Sequence, residues 1–151
     1  LARVALTGTL RVAPPSVTLG TAALARTFSG DGDARVMTLT FTLPRDTSRV
    51  EVHAPLPAGD ELARGAGTPV RQRDPRGTWA SLDGPVGDSA AAVSRLDDGV
   101  RVRFARLRAG THAVQIPMAR VGRGTFHAGP AWLRSADDAV WSITPACTST
   151  R

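Results

Sequence analysis

Strict alternation of polar and apolar residues is the feature that most constrains the fold of this chain. It is clearest over residues 35–43, where Met37, Leu39, Phe41 and Leu43 share one parity and threonines fill most of the other. Successive side chains of a β-strand point to opposite sides, so a strand with one buried and one solvated face produces this period of two. No segment shows convincing helical periodicity. The pattern therefore predicts antiparallel β structure.

Turn residues divide the rest of the chain into further strands. Glycines and aspartates at 29–33 predict one hairpin turn, and the triplet at 97–99, Asp-Asp-Gly, predicts another between segments 90–96 and 100–107. About eight to ten short strands without helices predict an all-β fold, an antiparallel β-sandwich.

The alternation also assigns directions to side chains. Over residues 49–54 it places Val50 and Val52 inward, with Glu51 and His53 outward. Over residues 100–107 the arginines at 101 and 103 face outward, which is typical of a solvated strand face rather than of a binding site.

Segment 107–141 predicts a half-buried antiparallel hairpin. Val114, Ile116 and Met118 share one face, and glycines at 122 and 124 interrupt the pattern before a second extended segment. An extended loop at 128–132 comes next. Trp141 lies in an alternating segment at 139–143, which predicts a core position. Upstream, residues 63–88 predict a long connection with one short strand around 78–82.

Composition and charge exclude several classes of function. The 151 residues fit one domain, and no apolar run approaches the roughly 20 residues of a membrane span. All 19 basic residues are arginines and the formal net charge is +6, but they are scattered and do not interleave with aromatic residues. This predicts a solvated, mildly basic surface and no nucleic-acid partner. The chain begins at Leu1, so we interpret it as a piece of a longer polypeptide or a processed form.

Groups that would carry catalysis or bind a metal are not assembled in the sequence. A G-x-S-x-G nucleophile elbow is missing, and His53, His112 and His127 match no common zinc-ligand spacing. The single cysteine, Cys147, has no neighbouring histidine and lies in a tail, 146–151, that is expected to be flexible. We therefore predict a protein that is not an enzyme, without a metal site and without a cofactor.

Five motifs, in order, resemble the last domain of bacterial alpha-2-macroglobulins. Each motif alone is weak, because turns are rich in Gly and Pro everywhere, but their order and spacing are more specific. They are LARTF at 24–28, LPAGDE at 56–61, LDDGVR at 96–101, LRAGTH at 107–112 and MARVGRGTF at 118–126, with a Gly-Pro loop at 129–130. The chain departs from the family pattern at Gly99 and Arg123, where relatives carry arginine and proline.

The resemblance implies a macroglobulin-like β-sandwich over residues 17–145, after a leading strand and Pro-rich connector at 1–16 that we assign to the tail of a preceding domain. It implies a non-catalytic domain of an exported, broad-spectrum protease inhibitor, in the periplasm, the cell envelope or the extracellular space. Its partners would be neighbouring domains of a larger polypeptide and, indirectly, trapped proteases. The domain would pack against a thioester domain and move when a protease is trapped. It would not insert into a membrane.

The candidate interdomain interface consists of Gly129, Pro130, Trp132 and Leu133. Many relatives continue the Gly-Pro loop into a Met-Tyr pair that shields the thioester, and Trp132 and Leu133 stand there in this chain. Alternatively, the parent protein lacks a thioester and nothing needs shielding. The interface hypothesis requires Trp132 to be at least partly exposed in the isolated domain. A second hypothesis is an independent envelope-binding or adhesion module, for which Trp79 in the long connection is the only support.

Overall fold

Extended strands, many with alternating burial, make up most of the described structure. The computed structural model describes residues 23–30, 32–64, 67–82, 91–136 and 142–150, and no helix occurs in these ranges. The strands are β1 (Leu24–Ser29), β2 (Ala34–Leu43), β3 (Thr47–Pro55), β4 (Asp60–Leu62), β5 (Arg71–Arg73), β6 (Trp79–Ser81), β7 (Ala91–Arg95), β8 (Gly99–Leu107), β9 (Gly110–Arg120), β10 (Thr125–Ala128), β11 (Trp132–Ser135), β12 (Ser142–Ile143) and β13 (Cys147–Thr150).

Two antiparallel sheets form the sandwich. The six-stranded sheet has the order β1-β2-β9-β5-β6, and β4 pairs with the other end of the same edge of β9. The five-stranded sheet has the order β12-β11-β3-β8-β7. β10 and β13 pair only with each other among the described strands. The predicted all-β sandwich is confirmed.

The core lies between the inner faces of the two sheets. Met37, Leu39, Phe41 and Leu43 of β2 are each at most 1% exposed, as the alternation predicts. The facing sheet contributes the inward side chains of β3, β8 and β11, which lie in register across the sheet; they are Val50, Val52, Val102, Phe104 and Leu133. Burial of this apolar surface is the main force that holds the sheets together.

Two predicted hairpins are confirmed. β1 and β2 pair from Leu24 opposite Phe41 to Ser29 opposite Val36, and Gly30 and Gly32 adopt positive φ angles of 107° and 61° in the turn between them. β7 and β8 pair across the Asp-Asp-Gly turn, closed by hydrogen bonds between Leu96 and Gly99 in both directions.

The hairpin predicted over residues 107–141 is wrong. β9 pairs with β2 along one edge and with β4 and β5 along the other, so neither edge is open to β10. β10 pairs with β13 instead. The turn at Gly110, with a φ of 119°, carries the chain from one sheet to the other rather than back along the same sheet.

The C-terminal tail also differs from its prediction. Cys147–Thr150 forms β13, paired from Cys147 opposite Ala128 to Thr150 opposite Thr125, instead of a flexible tail. The segment before it is anchored as well, because the guanidinium of Arg26 donates to the carbonyl of Pro145 at 3.1 Å. Backbone hydrogen bonds to a partner strand thus order this segment without any apolar pattern in its sequence.

In the long connection β6 agrees with the predicted strand around 78–82. Two other short strands were not predicted: β4, directly before this connection, and β5 within it. Both are three residues long and mostly polar, too short for a periodicity signal. The predicted strand at 1–12 and the predicted core residue Trp141 lie outside the described residues, so those interpretations stay predictions, as do the domain boundaries at 17 and 145.

Candidate functional site

The outward face of the five-stranded sheet gathers the polar and aromatic side chains of three neighbouring strands. Register places Trp132 opposite His53, and His53 opposite Arg101. Two residues along, Arg134 lies opposite Glu51, and Glu51 opposite Arg103. These six side chains form two adjacent cross-strand rows, which we call the Trp132 face.

Trp132 lies at the β11 side of this face and is half-buried. Its ring centroid lies 5.2 Å from that of His53, and the guanidinium carbon of Arg134 lies 4.7 Å from the Trp132 ring centroid. A tilted ring contact with His53 and a cation–π contact with Arg134 hold the indole while part of it stays in contact with water. The partial exposure that the interface hypothesis required is therefore present.

Glu51 is surrounded by three arginines. Nε of Arg101 lies 3.0 Å from Oε1 of Glu51, while Oε2 accepts hydrogen bonds from Arg103 and Arg134 at 3.4 Å and 3.3 Å. The carboxylate side chain is only 12% exposed, whereas the three arginine side chains are 31%, 55% and 47% exposed. Three positive charges around one negative charge leave this cluster with an excess of positive charge.

Burial lowers the pKa of His53 below its ordinary value of 6.5. The negative charge of Asp98 opposes this shift, the positive charge of Arg101 adds to it, and Glu51 opposes it. Nδ1 of His53 is buried and has no hydrogen-bond partner among the described residues, so no hydrogen bond at this atom stabilises the protonated ring. At neutral pH His53 is therefore a neutral, planar ring beside Trp132.

A groove of about 520 Å³ adjoins the Glu51 cluster. Its walls include Arg103 and Arg134, and small residues at the neighbouring outward positions, Ala92 and Ala105 among them, leave the space open. Arg49 adopts a φ of 53° at the rim, in the left-handed region, while the register of β3 with β8 is the same on both sides of it. Strained non-glycine backbone of this kind is often found at functional sites.

The structure divides the four predicted interface residues. Gly129 and Pro130 are exposed and Trp132 is half-buried, but Leu133 is 0% exposed and packs in the core. The proposal that Trp132 and Leu133 together cover a neighbour does not hold in this domain, since consecutive residues of a strand point to opposite faces. Gly129 lines a second groove of about 740 Å³ at the end of the sandwich, with Leu56 and the Asp-Asp-Gly turn.

Several motif residues meet inside the protein rather than on its surface. Nε of Arg120 lies 2.6 Å from Oδ1 of Asp60, and both side chains are 0% exposed. Arg35 reaches the other carboxylate oxygen at 3.4 Å. The ring of Phe126 lies 5.3 Å from the Arg120 guanidinium and packs directly on Gly59, where any Cβ would collide with it. These five residues form a brace between β2, β4 with the loop before it, β9 and β10.

The remaining histidines have separate environments. His112 is 2% exposed, stacks on Phe41, contacts the side-chain amide of Gln72 at 3.2 Å and the carbonyl oxygen of Arg108 at 2.8 Å. His127 is exposed on β10. In the described ranges no three His, Cys, Asp or Glu side chains are grouped so as to hold a metal ion.

Sequence reasoning missed both the Glu51 cluster and the brace. Alternation does place Glu51, Arg101 and Arg103 outward, but it treated the arginines as solvated. Only the register between β3, β8 and β11 shows that the carboxylate of Glu51 on β3 contacts arginines on both neighbouring strands. The members of the brace lie up to 91 residues apart, and no local signal joins them.

Comparison with known proteins identifies a family that matches this chain. The family model "Bacterial Alpha-2-macroglobulin MG10 domain" matches residues 21–136. A search of curated proteins found no match. The described residues contain no helix long and apolar enough to cross a membrane.

Solved structures with similar folds include two crystal structures at 12% identity. The RrgA Jo.In complex has a TM-score of 0.60 and covers 85% of this chain and 78% of its own. ACE19, the collagen binding subdomain of Enterococcus faecalis surface protein ACE, has a TM-score of 0.57 and covers 85% of this chain and 92% of its own. At this identity the likeness concerns the fold alone.

Proposed function

The chain belongs to the family of bacterial alpha-2-macroglobulin MG10 domains, and on that premise we propose that it is a non-catalytic domain of a broad-spectrum protease inhibitor. In this role it packs against neighbouring domains of a larger polypeptide and moves when a protease is trapped. Its contact with the protease is indirect.

The observation that carries this proposal is the position of Trp132. A half-buried indole held between His53 and Arg134 on an open sheet face offers a rigid apolar surface with a polar margin. Tryptophan and arginine are the residues most enriched among those that dominate binding energy at protein interfaces. Gly129 and Pro130 extend the surface from the preceding loop.

A docking role agrees with the chemistry of the chain. Macroglobulin-like domains are typically non-catalytic, and a Cys-x-Glu-Gln thioester motif does not occur in this sequence. Any covalent capture of a protease would therefore depend on another domain. We further propose that the protein is exported to the periplasm, the cell envelope or the extracellular space, which fractionation of the producing cells would test.

The proposal is tested on the complete gene product in an inhibition assay with a protein substrate. Trp132→Ala should weaken inhibition, because it removes the central contact while leaving the core side chain Leu133 in place. Trp79→Ala is the matched control, since it truncates a half-buried tryptophan on the other sheet. Equal inhibition by the wild type and both variants would contradict the proposal, provided that thermal unfolding shows all three folded.

A second candidate function is an independent envelope-binding or adhesion module. Trp79 lies on β6, the terminal strand of the six-stranded sheet, and is half-buried. However, the guanidiniums of Arg71 and Arg73 lie 5.1 Å and 5.6 Å from its ring centroid and occupy space that a sugar ring would need. Binding of the chain to a glycan array, abolished by Trp79→Ala, would favour this candidate over the first.

A further inference from the structure

We propose that the groove beside Glu51 binds an acidic segment of a neighbouring polypeptide. This inference rests on the proposed docking function and names the chemistry of the partner. The segment would place its carboxylates on Arg103 and Arg134, which flank Glu51 on either side.

Charge is the first argument. Glu51 supplies one negative charge to three guanidiniums, and the two outer ones are 55% and 47% exposed. A guanidinium has five N–H donors, while Glu51 offers two oxygens to all three arginines. The donor capacity of the cluster therefore exceeds what its own carboxylate can accept. A carboxylate is the group in proteins that matches a guanidinium in both charge and geometry.

Spacing is the second argument. Arg103 and Arg134 stand on β8 and β11, on either side of β3, and both reach Oε2 of Glu51, at 3.4 Å and 3.3 Å, so their contacting nitrogens lie within about 7 Å of each other. In an extended chain residues i and i+2 point to the same side and are also about 7 Å apart. An extended segment with acidic residues at positions i and i+2 would reach both arginines at once.

Shape is the third argument. The groove of about 520 Å³ is open to solvent beside these arginines, and alanines at 92, 105 and 136 line it where longer side chains would fill it. Arg49, with its left-handed φ of 53°, lies at the rim of the groove. An extended backbone can thus lie on the sheet while its side chains meet the arginines.

A peptide-binding experiment on the whole 151-residue chain tests this inference. A fluorescein-labelled hexaglutamate peptide is titrated by fluorescence anisotropy at low salt. The double variant Arg103→Gln/Arg134→Gln should bind about five- to ten-fold more weakly than the wild type, because two exposed charge pairs are lost. The control Arg76→Gln/Arg123→Gln removes the same two charges from exposed loops elsewhere and should change binding less than two-fold.

Glu51→Gln provides an independent and opposite test. It removes the internal carboxylate that competes for the same donors, so it should tighten peptide binding, whereas Glu61→Gln at an exposed position should not. Equal weakening in the two double variants would overturn the inference, since binding would then follow net charge alone. So would a wild type that binds polyphosphate but not the peptide, or weaker binding by Glu51→Gln.

These outcomes are separable from the failure of the proposed function. If the peptide does not bind but Trp132→Ala still weakens protease inhibition, the docking face stands and only the acidic partner is wrong. If the peptide binds at the arginines but inhibition is insensitive to Trp132→Ala, the anion site stands and the inhibitor role is wrong.

Discussion

Breaking the ion pair between Asp60 and Arg120 should be the most destabilising polar substitution in this domain. Both side chains are 0% exposed and their closest atoms lie 2.6 Å apart. Asp60→Asn keeps the shape of the side chain but leaves a buried guanidinium without its counter-charge. Arginine does not deprotonate in proteins, so this charge cannot be neutralised. Loss of one partner from a buried pair costs about 3–5 kcal/mol.

The double variant Asp60→Asn/Arg120→Met separates charge from packing. Removing both charges of the fully buried pair leaves only Arg35, whose side chain is 14% exposed, as a charge at this position, so the double variant should be less destabilised than the sum of the two single variants. Urea unfolding followed by tryptophan fluorescence measures all of them. With a denaturant slope of about 2 kcal/mol/M, Asp60→Asn should lower the unfolding midpoint by roughly 1.5–2.5 M.

A surface pair gives the control for this cycle. NH2 of Arg106 lies 3.6 Å from Asp46, with side chains that are 71% and 52% exposed, so Arg106→Gln should cost less than about 1 kcal/mol. Strict additivity of the two buried substitutions would refute the reasoning, because it would mean that the charges do not interact. A loss below 1 kcal/mol for Asp60→Asn would refute it as well.

Three further predictions concern the sheet, the core and the Trp132 face. Gly99→Ala should lower the thermal midpoint in a circular dichroism melt by an amount equivalent to about 1–3 kcal/mol, because its Cβ would collide with the backbone of β3. Leu133→Ala should cost about 2–5 kcal/mol in urea unfolding, as expected for a fully buried leucine. An NMR titration should place the midpoint of His53 below its ordinary value, with Arg101→Gln raising that midpoint and Asp98→Asn lowering it further. Because the folded state binds this proton less readily than the unfolded chain, the contribution of His53 to stability should be present above its ordinary pKa and lost as the pH falls through the lowered pKa.

The strands that were predicted correctly owe this to side chains with a clear local period. From Met37 in β2 every second residue is a large apolar group, and the residues between them are threonines. Only one face of the strand can therefore be the buried one. The turn at Gly99 could be predicted equally well, since the sequence Asp-Asp-Gly strongly favours a tight turn. In both cases the residues that make up the predictive pattern lie within ten positions of each other in the sequence.

The errors arose where pairing partners are remote. β9 alternates like one arm of a hairpin, but whether it turns back on β10 depends on β2, β4 and β5, which already cover both of its edges. β13 has no apolar pattern at all, so its order comes from the backbone of β10. Local periodicity carries no information about which strand edge is free.

The same limit explains what was found and missed on the Trp132 face. Sequence reasoning proposed Trp132 because it stands where many relatives carry a Met-Tyr pair after the Gly-Pro loop, and the structure leaves it half-buried. It coupled Leu133 to the same surface although strand geometry sends neighbours to opposite sides. It passed over Glu51, since an outward glutamate is ordinary until the register brings Arg103 and Arg134 around it.

The motifs that carry the family resemblance contribute to the internal framework of the domain rather than to the face proposed to bind a partner. Those at 56–61 and 118–126 supply Asp60, Arg120 and Phe126 to the brace, where they hold strands together. Glu51, Arg103 and Arg134 lie outside every motif by which the family was suggested. Membership in the family therefore accounts for the shape of this domain but does not specify the charge of its outward face. The acidic partner follows only from the positions of the side chains, and substitutions on that face should change binding without unfolding the sandwich.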